Sequence, residues 1–150
     1  MLYLCDLDGT LCDISHRLPL IKQDPPDWNG FFMAAEADKP IWEVITIIRG
    51  LHQIGQKIIM VTGRSDISKE ITTAWLIKYR VPFDELYMRK EGDYQEDSVV
   101  KFELLDQILV KYPQVKEQFR IAGVFEDRQQ VVDMFRARGL RVFQVAKGKF

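Results

Sequence analysis

Two aspartates stand two residues apart just after an apolar stretch near the beginning of the chain. Residues 2–5 have the length and composition of a strand, and Asp6, Leu7, Asp8 and Gly9 follow directly. In an extended chain this spacing puts both carboxylates on one side of the backbone, and Gly9 can adopt the positive φ of a sharp turn. Two carboxylates this close need a cation or a retained proton, which indicates a catalytic or metal-binding turn. The alternative is an ordinary Asx turn after a strand.

The composition limits the functions that this chain can serve. It has 150 residues, 47% apolar and 29% charged, as in ordinary globular proteins. This length predicts one domain, residues 1–150, with a core of its own. The formal net charge of −1 provides no basic field for nucleic acid, so any contact with a polyanion must be local.

No feature of the sequence indicates export or a membrane. The first predicted strand begins at residue 2, which leaves no room for a signal peptide, and no apolar run is long enough to span a bilayer. The two cysteines, Cys5 and Cys12, fit neither a zinc pattern nor a disulfide framework. We therefore expect reduced thiols and a soluble, cytoplasmic protein.

Strand-like and helix-like segments alternate along the chain. Further strands are predicted at residues 57–61, 83–88, 120–125 and 140–145. Helices are predicted from residues 38–40 to 55, from 65 to about 79, from 98 to 112, and up to 139. The third of these helices should turn Phe102, Leu105, Ile108 and Leu109 inward. The alternation predicts an α/β fold, a doubly wound (Rossmann-like) parallel sheet of about five strands with helices on both faces.

One segment, approximately residues 14–39, interrupts this alternation after the first strand. It is rich in proline, shows no clear periodicity and contains an aromatic group formed by Trp28, Phe31 and Phe32. A short helix is predicted near residues 28–35. The insert is either a small lid over the strand ends or a surface loop fixed by its aromatic side chains.

Polar residues stand at the carboxyl ends of three predicted strands, where doubly wound sheets bind their ligands. They are Asp6 with Asp8, residues 62–64, and Glu126 with Asp127. Four carboxylates at one rim would form the oxygen-rich site that Mg²⁺ prefers. The chain has only two histidines, so an imidazole-based metal site is poorly supported.

The same rim offers groups that bind anions. Thr62 has a hydroxyl, and the Gly63 amide is expected near a helix N-terminus, where anions bind. Lys101, in the first turn of its helix, could reach a phosphate or could be a solvated surface lysine. A nucleophilic carboxylate, a metal and such donors together indicate phosphoryl transfer. Neither a P-loop nor a dinucleotide glycine motif occurs, so a kinase or a Rossmann oxidoreductase is poorly supported.

These residues resemble, in order, the four motifs of the haloacid dehalogenase superfamily. The motifs are Asp6-Leu-Asp8-Gly9-Thr10, Thr62-Gly63-Arg64, Lys101 and Glu126-Asp127, and Asp-x-Asp-Gly-Thr is the form found in its phosphatases. The second half is similar to the 3′-phosphatase domain of phage polynucleotide kinase/phosphatase. That similarity lies in Arg89-x-x-Gly92-Asp93, Asp97-x-Val99-Val100-Lys101, the segment from Glu126 to Gly139, and the segment from Gln144 to Phe150. Taken together, the motifs and this similarity cover nearly the whole chain except about residues 14–39.

The resemblance implies a mechanism and a metal. Asp6 would attack phosphorus and become an aspartyl-phosphate, while Asp8 would protonate the leaving oxygen and then activate water. The acid role of Asp8 requires a raised pKa, which the neighbouring Asp6 would favour. Mg²⁺ would be held by the Asp6 carboxylate, the Asp8 backbone carbonyl and Asp127, with Glu126 beside the metal or behind its ligands.

The resemblance also implies a substrate, a 3′-phosphate on a nucleotide or a nucleic-acid end. Thr62 and Lys101 would hold the transferring phosphoryl group. The candidate contacts to the rest of the substrate are Gly63, Arg64, Arg89 and Arg128, although each arginine is equally compatible with a structural role. The alternatives are a nucleotidase or small-metabolite phosphatase on the same scaffold, and a binding module without turnover.

Overall fold

A computed structural model of the protein describes residues 1–148, so the predicted closing segment is described only as far as Gly148. Its strands are β1 (Leu2–Cys5), β2 (Cys12–Asp13), β3 (Lys39–Pro40), β4 (Lys57–Ser65), β5 (Glu85–Arg89), β6 (Ile121–Glu126) and β7 (Val142–Gln144). Its α-helices are α1 (Leu18–Lys22), α2 (Trp28–Met33), α3 (Trp42–Gln53), α4 (Lys69–Lys78), α5 (Asp97–Lys111) and α6 (Gln129–Ala137). No helix in this described part of the chain is long and apolar enough to cross a membrane.

Five of the strands form one parallel sheet in the order β5-β4-β1-β6-β7. The chain runs from β1 outward through β4 to β5, and then returns to the other side of β1 to form β6 and β7. The strand order therefore reverses at β1, which is the position where doubly wound sheets bind ligands. The predicted α/β architecture is confirmed.

Helices cover both faces of this sheet, and the strand pleat divides the core between them. Ile58 and Met60 belong to the apolar core that includes residues of α3 and α4, whereas Ile59 and Val61 belong to the core with α5 and α6. Alternate residues of a strand point to opposite faces, so a continuous apolar run such as β4 is buried on both. Apolar packing on both faces therefore holds β1, β4 and β6, whose ends carry the polar residues.

Helix α5 differs from its prediction in one residue of its inner face. Phe102 is 41% exposed, and the Arg138 guanidinium lies 4.2 Å from the centre of its ring, so the prediction that it points inward is wrong. Lys101 is buried instead. Its ammonium forms ion pairs with carboxylates, which offset the cost of burying a charge, so a polar residue can lie on this face of the helix.

The insert also departs from prediction around residues 38–40, where a helix was expected to begin. Lys39–Pro40 pairs with Cys12–Asp13 as a short antiparallel ladder, and α3 begins only at Trp42. Asp38 caps no helix, because its buried side chain accepts hydrogen bonds from arginines. Helix α2 confirms the short helix expected near residues 28–35, while α1 was not predicted.

Candidate active site

Asp6 follows β1 directly and lies at the point where the strand order reverses. Its amide donates a hydrogen bond of 3.0 Å to the Phe125 carbonyl, which continues the pairing of β1 with β6 by one residue. The Thr10 hydroxyl lies 3.4 Å from Asp6 Oδ2 and 3.2 Å from Asp127 Oδ1, so it bridges the two carboxylates. The ends of β1 and β6 therefore bring both acids into one buried site.

Gly9 allows the turn after β1 to approach Asp127 closely. Its φ is +81°, as the sequence predicts for a sharp turn. A Cβ atom at this position would lie 2.2 Å from Asp127 Oδ2, well inside van der Waals contact. Both the backbone conformation and the space beside Asp127 require glycine here.

Lys101 is the cation that faces these acids. Its Nζ lies 2.8 Å from Asp6 Oδ1, 2.8 Å from Glu126 Oε2 and 3.2 Å from Asp97 Oδ2. Burial opposes the charged form, but these three carboxylates raise the pKa of Lys101 well above its usual value. The lysine is therefore a fixed ammonium beside Asp6 and not a solvated surface residue.

Asp6, Glu126 and Asp127 form a carboxylate cluster in which one oxygen of each lies within 4.8 Å of the others. Burial and neighbouring carboxylates raise the pKa of Glu126 and of Asp127 to about 7, and raise the pKa of Asp6 well above its usual value. Three crowded acids facing a single ammonium are an electrostatic arrangement that a divalent cation would stabilise. The residues present therefore fit a hard cation such as Mg²⁺.

Asp8 faces a different set of partners, two arginines and a second aspartate, which we call the arginine–aspartate cluster (Asp8, Arg17, Asp38 and Arg64). Asp8 Oδ1 accepts hydrogen bonds from Arg17 Nη2 at 2.6 Å and from Arg64 Nε at 2.8 Å. Asp38 Oδ2 accepts from Arg17 Nη2 at 2.8 Å and from Arg64 Nη2 at 2.9 Å. All four side chains are buried, and their two positive charges balance their two negative charges.

This cluster contradicts one expectation and bears on a second. Burial opposes ionisation of Asp8, but Arg64 and Arg17 outweigh it and lower the pKa of Asp8, opposite to the raised value expected. Arg64 is fully buried and its remaining donor bonds the Thr72 hydroxyl at 3.1 Å, so its placement does not support the expected contact with substrate.

Sequence reasoning assigned Arg17 and Asp38 no role in the site. Arg17 also donates to the Phe31 carbonyl at 3.2 Å, and its guanidinium lies 4.2 Å from the centre of the Phe31 ring. The Asp38 carbonyl accepts from Trp75 Nε1 at 2.9 Å. Both residues belong to the segment without periodicity, where no spacing links an arginine to an acid 21 residues later.

A cavity of about 620 Å³ opens onto Asp6, Asp8 and Lys101. The aromatic residues of α2 form part of its wall, and so does the loop of residues 90–96. The cavity therefore joins the reactive groups at the strand ends to the insert and to this loop.

Comparison with known proteins identifies the chain. All of it, residues 1–150, matches the family model described as the polynucleotide kinase PNKP phosphatase domain. The chain belongs to this family. The chain is thus a phosphatase domain of the haloacid dehalogenase type, as the four motifs predict.

Two relatives of this phosphatase family are much longer than the chain. It is 29% identical over 137 residues to a protein of Autographa californica nuclear polyhedrosis virus assigned as a bifunctional polynucleotide kinase/RNA ligase, covering 88% of this chain and 17% of the viral protein. It is 33% identical to a chain in the structure of the Pnkp1/Rnl/Hen1 RNA repair complex, with a TM-score of 0.77, covering 99% of this chain and 43% of that one.

A more distant structure shows the fold alone. A protein of Clostridium difficile assigned as a phosphatase is 15% identical, with a TM-score of 0.66 over 94% of this chain and 82% of that one. The sheet and its helices are thus shared with a protein of low sequence identity.

The other residues predicted for the site lie in different surroundings. Thr62 is fully buried, and its hydroxyl accepts from the Arg64 amide at 3.1 Å. Gly63 lines the cavity, but it lies inside β4, where the pairing with β5 shifts register between Thr62 and Ser65. A 3₁₀ turn begins three residues later, at Asp66, so Gly63 lies close to a helix start but within the strand.

Arg89 and Arg128 both line the cavity of this phosphatase. Arg89 donates to the carbonyls of Gly63 at 2.7 Å, of Gln95 at 2.6 Å and of Asp93 at 3.1 Å. Its guanidinium thereby fixes the loop of residues 90–96 against β4. Arg128 Nη1 lies 3.5 Å from Oδ2 of Asp97, the residue that also contacts Lys101.

Asp97 is a further acid of the site that received no role from the sequence. It begins α5, and its Oδ1 is buried without a hydrogen-bond partner. A Cβ atom at Gly63 would lie 1.9 Å from this oxygen, so the absence of a side chain there admits the carboxylate. Its position four residues before the motif lysine is the signal that could have drawn attention to it.

Proposed function

We propose that this protein is a Mg²⁺-dependent phosphomonoesterase that removes the 3′-phosphate from a nucleotide or a nucleic-acid end through an aspartyl-phosphate on Asp6. The observation that carries the proposal is the placement of Asp6 at the strand-order reversal, 2.8 Å from the Lys101 ammonium and within the carboxylate cluster. The substrate assignment is supported by the family of the chain and by the polynucleotide kinase in the name of its viral relative.

In the first step, a carboxylate oxygen of Asp6 forms a bond to phosphorus, and the bond from phosphorus to the substrate oxygen breaks. Asp8 gives its proton to that leaving oxygen. The arginines favour ionised Asp8, but the negative charge of an arriving phosphate next to it favours the protonated form that this step needs.

In the second step, a water oxygen forms a bond to the phosphorus of the aspartyl-phosphate, and the bond from phosphorus to the Asp6 oxygen breaks, which releases inorganic phosphate and restores the Asp6 carboxylate. Asp8 accepts the proton of that water, and the arginine–aspartate cluster stabilises the ionised carboxylate that begins this step. Both arginines bind Oδ1 of Asp8, which leaves Oδ2 for the proton transfers in each direction.

Asp6 and Asp127, with the backbone carbonyl of Asp8, would hold Mg²⁺, which neutralises charge on the phosphoryl oxygens when it is bound. Glu126 already uses both of its oxygens. Oε2 accepts from Lys101, and Oε1 accepts from the amides of Asp127 at 3.0 Å and Arg128 at 3.1 Å. We therefore assign Glu126 the positioning of Lys101 and Asp127, behind the metal ligands.

Lys101, Thr62 and Gly63 are assigned to the phosphoryl group. Lys101 has the strongest support, because its ammonium already contacts the nucleophile and faces the cavity. Arg128 is assigned to the rest of the substrate, and Arg89 to holding the loop of residues 90–96 in place.

A second candidate, a nucleotidase acting on mononucleotides, is favoured by one observation. Six carboxylates and four cations line the cavity, so its lining has no excess of positive charge along which a polyanion could bind. This charge balance suits a short substrate better than a long strand.

The test is phosphate release with Mg²⁺ from a 3′-phosphorylated oligonucleotide, its 5′-phosphorylated counterpart, and 3′- and 5′-mononucleotides. Asp6→Asn should lower turnover by about 10³-fold or more, because the amide is a poor nucleophile of the same shape. Its melting temperature checks that the fold survives, and Asp106→Asn on the protein surface is the matched control. Near-normal turnover by Asp6→Asn would exclude the covalent mechanism, and faster release from 5′-phosphates would exclude the 3′ assignment.

A further inference from the structure

We propose that Trp28 is the platform on which the base of the terminal nucleotide stacks, with Tyr94 as a second aromatic contact in the same cavity. This inference rests on the proposed function and specifies the part of the substrate beyond the phosphate. It separates a nucleotide substrate from a phosphorylated metabolite that has no base.

Trp28 combines exposure with rigid support. It begins α2 and lines the cavity that contains Asp6 and Lys101, and 40% of its surface is exposed. Its ring packs against the buried Phe31 and Phe32, with centroid distances of 5.9 Å and 6.1 Å. An indole packed against other rings and still open to the cavity is a preformed stacking surface.

The first turn of α2 is itself held in place. The Asp27 side chain accepts a hydrogen bond of 2.8 Å from the Gly30 amide, which caps the helix at the residue before Trp28. Arg17 bonds the Phe31 carbonyl one turn later. The platform is thus attached to the same cluster that positions Asp8.

Tyr94 reaches the cavity from the loop of residues 90–96 and is 80% exposed. The loop is ordered on both sides of it, because Arg89 binds the carbonyls of Asp93 and Gln95. Asp93 Oδ1 also accepts from the Gln95 amide at 3.0 Å. A tyrosine this exposed on a loop this well bonded has a ring face available to a ligand.

Because the charges that line the cavity attract a polyanion only weakly, we expect these rings to provide much of the binding energy. The lining holds more carboxylates than cations, so attraction to phosphates further along a strand contributes little. Aromatic side chains that stack on bases typically strengthen binding by about 5- to 150-fold for each base, whatever the base. Recognition should then be concentrated on the terminal nucleotide and depend weakly on salt and on strand length.

The experiment compares adenosine 3′-phosphate with its abasic analogue, 1,4-anhydroribitol 3-phosphate, in wild-type protein and in Trp28→Ala, Trp28→Phe and Trp42→Ala. Trp42 is the matched control, since it is 48% exposed, lies on α3 and does not line the cavity. We expect Trp28→Ala to raise KM for the nucleotide about 10- to 100-fold, with kcat little changed. Trp28→Phe should raise this KM much less, because it keeps an aromatic ring. Trp28→Ala should leave KM for the abasic substrate unchanged, and Trp42→Ala should leave KM for both substrates unchanged.

The outcomes separate this inference from the proposed function. An unchanged KM for the nucleotide in Trp28→Ala, or an equal loss on both substrates, overturns the stacking role even though phosphatase activity remains. Wild-type protein that releases phosphate neither from these two substrates nor from a 3′-phosphorylated oligonucleotide overturns the proposed function itself. As a check that does not depend on the folding of Trp28→Ala, adenosine 3′-phosphate should quench the tryptophan fluorescence of Asp6→Asn. Quenching of the same size in Asp6→Asn/Trp28→Phe would also overturn the stacking role.

Discussion

Replacing Asp38 with asparagine tests whether the arginine–aspartate cluster stabilises the fold through its charge balance. Asp38 is buried, and its two oxygens accept three hydrogen bonds from guanidinium groups, at 2.8 Å, 2.8 Å and 2.9 Å. Asparagine has the same shape but one acceptor oxygen. In either orientation of its amide, at least one arginine N–H faces an NH₂ group, and the cluster is left with an excess positive charge.

The expected magnitude follows from that excess charge. Removing one partner of a buried ion pair typically costs about 3–5 kcal/mol, because the remaining charge is left uncompensated. For a chain of this length each kcal/mol lowers the melting temperature by about 2–4 °C, so Asp38→Asn should melt about 6–20 °C below wild type. A surface pair provides the comparison. Asp106→Asn removes the partner of Arg138 at a site where the aspartate side chain is 54% exposed, and it should cost about 1 kcal/mol or less.

Urea unfolding, followed by circular dichroism, measures the stability of Asp38→Asn and Asp106→Asn. A further test adds the single variant Arg17→Gln and the double variant Asp38→Asn/Arg17→Gln. The double variant removes one charge of each sign, so its loss of stability should be smaller than the sum of the two single losses. The reasoning fails if Asp38→Asn is as stable as Asp106→Asn, or if the two single losses simply add.

Two further predictions concern the turn after β1 and the carboxylate cluster. Gly9→Ala should destabilise the protein more than Gly139→Ala and should alone reduce phosphate release. Both glycines have φ near +80°, but only at Gly9 would a Cβ atom meet a neighbour, at 2.2 Å from Asp127 Oδ2, and equal urea midpoints would contradict this. Mg²⁺ at about 100 times its Kd should raise the melting temperature of EDTA-treated protein by about 5–10 °C, since binding at that level adds about 2.7 kcal/mol. Asp127→Asn should abolish most of the shift, and equal melting temperatures of wild type in Mg²⁺ and in EDTA would argue against the metal site.

The sequence predicted those parts of the fold that depend on local pattern. The continuous apolar run of β4 indicates a strand buried on both faces, and its alternate residues do enter opposite cores. Val44, Ile45 and Ile48 recur at helical spacing, and this face of α3 is buried. Acids placed directly after β1 and β6 had to meet, because neighbouring parallel strands end at the same edge of a sheet.

The errors arose where a side chain is placed by a distant partner. Lys101 displaces Phe102 from the inner face of α5 because it pairs with acids on other elements, which no helical periodicity encodes. Asp38 stands two residues before Pro40 and looks like a helix cap. Its partners are instead the side chains of Arg17, 21 residues earlier, and Arg64, 26 residues later. A propensity argument that sees only neighbouring residues has no means of finding such pairs.

The insert links the chemistry at the strand ends to the mouth of the cavity. Arg17 contacts the Asp8 carboxylate through one nitrogen and the Phe31 carbonyl through another, and Phe31 packs against Trp28. A single buried side chain therefore positions both the proposed proton donor and the proposed base platform. Because one guanidinium makes both contacts, a shift of α2 would weaken its hydrogen bond to Asp8. The insert thus connects the residues proposed for phosphoryl transfer to those proposed to recognise the group that carries the phosphate.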